Sequence, residues 1–236
     1  MLKFSTIALA ALFSFSSAAN ASVLSGFAKK YAGNSANSAT YTLPKADTDG
    51  ISIDFTFSFT PTKSKTAKDE LDNNDFLGFW FNSSDEASVG VKANCGDGTC
   101  TDDVFVRLGG TSGVFLSGSD LEDGKEYRIF AYLYKSEGSA YYDNLDAWLN
   151  PSQSEMLSLT GAHVHADTKV KGAGSNKSTQ IASVGFRTAN VDNGVVFTVT
   201  APNLNVDAAA VPEPGSLALM GLAMAGLGAA RRRKKN

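Results

Sequence analysis

Ile51-Ser52-Ile53-Asp54-Phe55-Thr56-Phe57-Ser58-Phe59-Thr60 alternates between apolar and polar side chains without a break. In an extended chain successive side chains point to opposite faces. The stretch therefore lays two isoleucines and three phenylalanines on one face and a row of small polar groups on the other. A strand with one apolar face needs a second layer to cover it. Outward from it the same texture recurs at short spacing. Residues 76–81, 87–92, 104–108, 114–116, 126–134, 145–149, 181–187 and 195–200 read as strands, with an earlier one near 39–43. Turn signals separate them, among them Asn82-Ser83-Ser84-Asp85, Gly109-Gly110, Asp123-Gly124 and Asp192-Asn193-Gly194. Tyr127, Ile129, Ala131 and Leu133 share one face of their strand; Arg128, Phe130, Tyr132 and Tyr134 share the other. Both faces are bulky, which predicts a central strand covered on both sides. A short helical turn is expected around 150–157, and 161–179 reads as a long polar loop. No segment in the middle sustains a 3.6-residue apolar period and no internal repeat is seen. The fold class is all-β: an antiparallel β-sandwich of jelly-roll type.

The two ends have different business. Residues 1–21 read as a signal peptide. Lys3 supplies the positive start, Ile7 to Phe13 a short apolar run, and Ala19-Asn20-Ala21 a small-residue cleavage site, placing the cut between Ala21 and Ser22. The β-sandwich is assigned to residues 22–206, with 22–49 less regular, and residues 207–214 form a linker. In the linker Pro212 and Pro214 flank Glu213; two prolines remove two backbone donors and stop whatever precedes them. Residues 215–230 carry no charge, and Arg231, Arg232, Arg233, Lys234 and Lys235 follow at once. A helix of that apolar length is about 24 Å, a little short of a ~30 Å hydrocarbon core. The basic side chains can snorkel to extend the span, and they hold the tail on the cytoplasmic side. Residues 215–236 are thus expected to be a single transmembrane helix with a basic tail.

Those five residues and Lys3 take six of the 21 Lys and Arg side chains, while all 24 acidic residues lie between Asp47 and Glu213. The part between Ser22 and Pro214 holds 15 basic against 24 acidic residues, a balance of −9. A domain so acidic repels phosphate backbones, which argues against a nucleic-acid partner.

Val211-Pro212-Glu213-Pro214, the short Gly/Ala/Leu helix and the basic cluster together resemble the PEP-CTERM sorting signal of Gram-negative bacteria. The resemblance implies general secretion, transient residence in the inner membrane, and recognition of Pro212-Glu213-Pro214 by an exosortase that cleaves nearby. It also implies an association with exopolysaccharide and biofilm. A permanent single-span anchor has the same topology and remains the alternative. The middle resembles a subgroup of such exported proteins with a concanavalin-like (laminin-G-like) jelly roll. The carrying segments are 75–81, 89–95, 104–107, 145–151 and 185–190. That family includes domains that bind glycans, calcium or proteins and others that hydrolyse polysaccharides, so fold alone does not choose.

A glycosidase needs two carboxylates flanking a cleft. No strand here carries an acidic pair on one face: Asp54 stands alone among its polar neighbours, and Asp143 and Asp146 are three apart. His163 and His165 would share a face if extended, but only carboxylates are left to complete a zinc site. Calcium suits the oxygen-rich loops better. Its candidate donors are Asp72, Asn73 and Asp75, and Asp97, Asp102 and Asp103, with a solvated loop as the plainer reading. For a glycan, Tyr141 and Tyr142 are the aromatic pair expected to be exposed, whereas the tryptophans sit inside strands. Arg107 and Arg187 lie in apolar strands, where ion pairing with aspartates is the first expectation. The reading is an exported surface or matrix protein, a non-catalytic binding or structural module for exopolysaccharide. A polysaccharide-active enzyme on the same fold is the alternative.

Cys95 and Cys100 enclose Gly-Asp-Gly-Thr in an exported chain, where a disulfide is the default state. The small loop limits its contribution to about 2 kcal/mol. Intact-mass and thiol-labelling measurements on the non-reduced mature protein should find no free thiol. Two free thiols, or a bound zinc, would contradict this pairing.

Overall fold

The computed structural model describes residues 20–32, 39–60, 71, 75–83, 85–94, 101–191, 195–200 and 202–206. Among them the chain forms β1 (Asn20–Val23), a 3-10 turn (Ser25–Phe27), β2 (Lys29–Ala32), β3 (Ala39–Asp47) and β4 (Gly50–Thr60). There follow β5 (Phe76–Phe81), β6 (Ser88–Asn94), β7 (Thr101–Arg107), β8 (Val114–Phe115), β9 (Tyr127–Tyr134) and β10 (Asn144–Leu149). The helix α1 (Gln153–Ser158) precedes β11 (Val164–Asp167), β12 (Ile181–Ala189), β13 (Val196–Val199) and β14 (Asn203–Val206).

All pairings are antiparallel and make two sheets. The first, sheet A, runs β1-β14-β4-β9-β10-β11, with β13 and β2 added beside β4. The second, sheet B, runs β3-β12-β5-β6-β7-β8. Strand β4 is the spine of sheet A. One edge pairs with β9 along most of its length; the other is shared by β14 over Ile51 to Asp54 and by β13 over Phe57 to Thr60. Central β9 is covered on both faces, as its bulky side chains predict.

The alternation in β4 does what its pattern dictates. Ile51, Ile53, Phe55, Phe57 and Phe59 are all buried in the space between the sheets. Sheet B meets them with Leu77, Phe79, Phe81, Val89, Val91, Val104, Val106, Val184 and Phe186. Phe186 sits at the middle, its ring edge-on to Phe55 at 4.9 Å and to Phe79 at 5.0 Å. Phe27 and Tyr31 close over it from the N-terminal segment. Such edge-to-face pairs add about 0.5–1.5 kcal/mol each beyond the area they bury.

Four strands were not legible in the pattern. Strands β1, β2 and β14 are four residues long and flank the sheet; the polar stretch 161–179 contains β11. The helical turn appears as α1, opened by a capping box in which Ser152 and Glu155 satisfy each other's backbone N–H groups. Strand β1 begins at Asn20, so the expected cut after Ala21 falls inside it. A chain cut there keeps only the Ser22–Leu204 and Val23–Asn203 pairings of that strand. The cysteines, the Pro212-Glu213-Pro214 motif and residues 215–236 lie outside the described residues. No helix among the described residues is long and apolar enough to cross a membrane.

Replacing Phe186 by Ala should remove the ring that joins both sheets to the N-terminal segment. The expected cost is about 3–5 kcal/mol, read from urea unfolding with an unchanged slope. A loss under about 1 kcal/mol would contradict the central place given to this ring.

Candidate functional site

The side chains that point away from the core on sheet B form the candidate site. Registry fixes them in rows across the strands. Gly185, Trp80, Ser88 and Arg107 are neighbours in one row; Arg187, Gly78, Gly90 and Phe105 form the next; Ala189, Phe76, Lys92 and Asp103 form the third. Two close approaches set its shape. The Trp80 indole lies against Gly185, where an added Cβ would collide with the ring and with the Ala39 carbonyl. At Gly90 a Cβ would collide with the Leu77 carbonyl. The bare centre of the sheet lets Phe76 and Phe105 lie down beside Gly78, ring against ring at 6.1 Å.

Over this aromatic floor stand two guanidinium groups. Arg107 is 5.7 Å from the Phe76 ring centre and 5.9 Å from that of Phe105; Arg187 is 5.1 Å from Phe76. Arg107 is held by donation to Ser88 Oγ at 2.7 Å and to the Thr111 carbonyl at 3.1 Å. Lys92 donates to the neighbouring Ser112 carbonyl at 3.4 Å. Arg187 reaches Asp85 at 3.9 Å, across the β5–β6 turn. Arg187 is 28% exposed and Asp85 83%, whereas Arg107 is nearly buried. Burial, and after it the charge of Arg187, pushes the pKa of Arg107 down from its ordinary value. Burial, and after it the charge of Arg107, does the same to Lys92. Arg107 thus feels the charge of Arg187, and Lys92 that of Arg107, over an aromatic floor in a domain that is acidic as a whole.

Asp103, opposite Lys92, has its oxygens taken. Asn94, Thr101, Ser119 and the Asp120 N–H all donate to it. Burial raises its pKa, but these hydrogen bonds together outweigh burial and hold it below the usual carboxylate value.

The outer face of sheet A is occupied differently. Phe130, Tyr132 and Trp148 are packed there under Met156 and Leu159 of the α1 segment and Ala162. Trp148 Nε1 donates to the Thr160 carbonyl at 3.2 Å. Asp54, alone on its strand as expected, takes a bidentate contact from Arg128 at 2.6 and 2.8 Å. Asp146 accepts from Tyr134 at 3.1 Å and lies 2.5 Å from His165 Nδ1; Asp167 lies 3.5 Å from His165 Nε2. His163 sits just before β11. Its Nδ1 accepts from the Leu149 N–H, which leaves Nε2 to donate to Glu155.

Other expected site residues scatter. Tyr141 is 46% exposed, but Tyr142 is fully buried and donates to Asp47, a correction to its expected exposure. Burial and the Asp47 hydrogen bond drive its pKa far up. Its neighbour Asp143 caps a turn by accepting from Ser136. Asp75 and Asp102 are both buried, on either side of Ala93, whose N–H donates to the Asp75 carbonyl. Asp72, Asn73 and Asp97 lie outside the described residues. Among the described residues no three His, Cys, Asp or Glu side chains converge on a point where a metal ion would sit. No described strand carries two acidic side chains at i and i+2, the spacing that would set them on one face.

Trp80, read as a residue inside its strand, is buried, 7% exposed; Lys92, Phe76 and Phe105 were not singled out, because their outward set is divided among three strands. Splitting each by the two-residue period would have shown Phe76/Gly78/Trp80, Ser88/Gly90/Lys92 and Phe105/Arg107 as one outward set.

Comparison with curated proteins gives no match. Among solved structures the sandwich is similar to the alginate lyase Aly36B in complex with an alginate trisaccharide. That match has 11% identity and TM-score 0.42, and covers 72% of this chain and 80% of that one. It is also similar to the Emp47p carbohydrate recognition domain, at 13% identity and TM-score 0.41, covering 80% and 86% of the two chains. A glycosyl hydrolase family protein from Mycobacterium fortuitum matches at 9% identity and TM-score 0.41, covering 70% and 67%. Residues 210–234 match the PEP-CTERM protein-sorting motif, so the chain is an exported β-sandwich protein that carries an exosortase-type sorting signal behind its last described strand.

Proposed function

We propose that this protein is a non-catalytic polysaccharide-binding module of the cell surface or extracellular matrix. The sorting signal delivers it there, and the outer face of sheet B does the binding. The observation that carries this reading is the array of Trp80, Phe76, Phe105, Arg107 and Arg187 on one sheet face. Aromatic faces stack on the apolar faces of sugar rings, and guanidinium groups donate planar pairs of hydrogen bonds. Of this array Arg187 is the part that reaches solvent, 28% exposed; Trp80, Phe76 and Phe105 are buried, and Arg107 and Lys92 are tied back by the 111–112 carbonyls. One feature supports the enzyme alternative: the Tyr134–Asp146–His165–Asp167 chain on sheet A contains groups able to move a proton.

Incubation of the full-length chain with the host's own exopolysaccharide separates these readings. Retention on the polymer without release of reducing ends or unsaturated sugars is expected. Arg187→Gln should lower retention and His165→Asn should not. Release of such products, lost in His165→Asn, would establish the enzyme instead.

Delivery has its own test. Glu213→Ala should leave the β-sandwich folded, because Glu213 lies beyond its last described strand, and should make the uncleaved precursor accumulate in the inner membrane. Replacing Arg231, Arg232, Arg233, Lys234 and Lys235 with Gln removes the cytoplasmic lock and should shift precursor into the periplasm. Fractionation with intact-mass measurement tells these apart. Wild-type protein that keeps its basic tail in the native host would point to a permanent anchor.

A further inference from the structure

The outer face of sheet A carries a charged pair that the reading of sheet B leaves unused. Arg128 of β9 reaches diagonally to Asp54 of β4 and donates to it from Nε at 2.8 Å and from Nη2 at 2.6 Å. Asn150 fixes the Arg128 backbone: its side-chain oxygen accepts from the Arg128 N–H, and its own N–H donates to the Arg128 carbonyl. A guanidinium held from that side keeps a second parallel pair of N–H bonds, one on Nη1 and one on Nη2. Among the described residues nothing accepts from this second pair, and the side chain is 42% exposed. Opposite Asp54, on β14, stands Asn203, an exposed residue whose amide has no hydrogen-bond partner among the described residues. Half-buried Thr56, opposite Arg128, and exposed Thr200 continue the face with hydroxyl groups. Val23, 62% exposed, ends the row that runs from Asp54 through Asn203.

We propose that this fork is a second glycan-binding site, built for a neutral sugar that presents two adjacent hydroxyl groups. A hydroxyl both donates and accepts. Two neighbouring sugar oxygens take the free N–H pair of Arg128, and one of those hydroxyls gives its proton to a remaining lone pair of Asp54. The Asn203 amide meets the next hydroxyl, and the C–H face of the ring turns toward Val23. Arg128 and Asp54 together carry no net charge. A sugar carboxylate in the same place would lie against Asp54, and like-charge repulsion opposes it. The fork therefore favours neutral sugars over acidic ones. Asp54 and Asn150 already orient the guanidinium, so little side-chain freedom is lost on binding. Trp148 lies beyond Phe130 in the same row and beneath α1, out of the ligand's reach. The site shares no residue with the face of sheet B and stands or falls separately from it.

The test is biosensor binding of the full-length chain in detergent to immobilised mannan, dextran and polygalacturonate. Arg231, Arg232, Arg233, Lys234 and Lys235 are replaced by Gln, so that the basic tail does not draw the acidic polymer. Arg187→Gln is added to silence the face of sheet B. Binding to mannan, dextran or both is expected in this background, tighter than to polygalacturonate and indifferent to added salt. Arg128→Gln should weaken it about tenfold. Arg128→Lys should weaken it nearly as much, because an ammonium keeps the charge but not the fork. Asn203→Ala should weaken it about threefold with an unchanged urea midpoint, and it carries the test if the Arg128 variants do not fold. Neutral binding that is lost in the Arg187→Gln background would overturn this site and leave the sheet B reading standing. Neutral binding that persists there but ignores Arg128→Gln and Asn203→Ala would also overturn it, as would no binding to either neutral polymer. Arg128-dependent binding that prefers polygalacturonate and weakens with salt would refute the neutral class.

Discussion

The contact of Phe186 with Phe55 and Phe79 is where the two sheets become one domain. Phe55 belongs to the spine of sheet A, Phe79 and Phe186 to adjacent strands of sheet B, and the rings meet edge to face within about 5 Å. Because side chains alternate along a strand, fixing Phe186 inward forces Gly185 and Arg187 outward. Fixing Phe79 inward forces Gly78 and Trp80 outward. The outward row is therefore not free to choose its register. A slip of one residue would bury Arg187 between the sheets and expose Phe186, a cost no sandwich of this size could bear. The candidate site is the reverse side of the core.

The same pairings decide where the protein is held. In β1 and β14 Asn20 lies opposite Val206, so the strands leading to the signal peptide and to the sorting motif reach one corner of sheet A. The outer face of sheet B belongs to the other layer of the sandwich. The strands nearest the two ends thus belong to sheet A and the candidate face to sheet B. Phe130, Tyr132 and Trp148 offer a second aromatic patch on sheet A, but α1 and its flanks already lie upon it.

Much of this was legible in the residues. The ten-residue alternation at 51–60 announced its strand, and the run at 76–81 gave β5 to the residue. The sorting tail was readable because proline, apolar length and basic charge act in a fixed order along the chain. Strands β1, β2, β11 and β14 were illegible because four residues hold too few alternations to set a period, and the partners of β1, β2 and β14 are far away in sequence. Tyr141 and Tyr142 were read alike from a shared turn-rich context. Nothing local announces that one of them reaches Asp47, 95 residues away. The candidate site stayed hidden for a related reason: its residues come from four strands, and its floor depends on glycines whose meaning appears only when strands lie side by side.

The chain has two tryptophans, and the structure puts them on opposite layers: Trp80 on the outer face of sheet B, Trp148 beneath α1 on sheet A. Fluorotryptophan labelling of the full-length chain gives each its own fluorine NMR resonance, assigned by replacing one tryptophan at a time. Titration with soluble fragments of the host exopolysaccharide then asks the central question directly. The account predicts that the Trp80 resonance shifts with saturation while the Trp148 resonance stays in place. A shift confined to Trp148 would move the site to the other sheet, and binding that disturbs neither would contradict the assignment of the sheet B face.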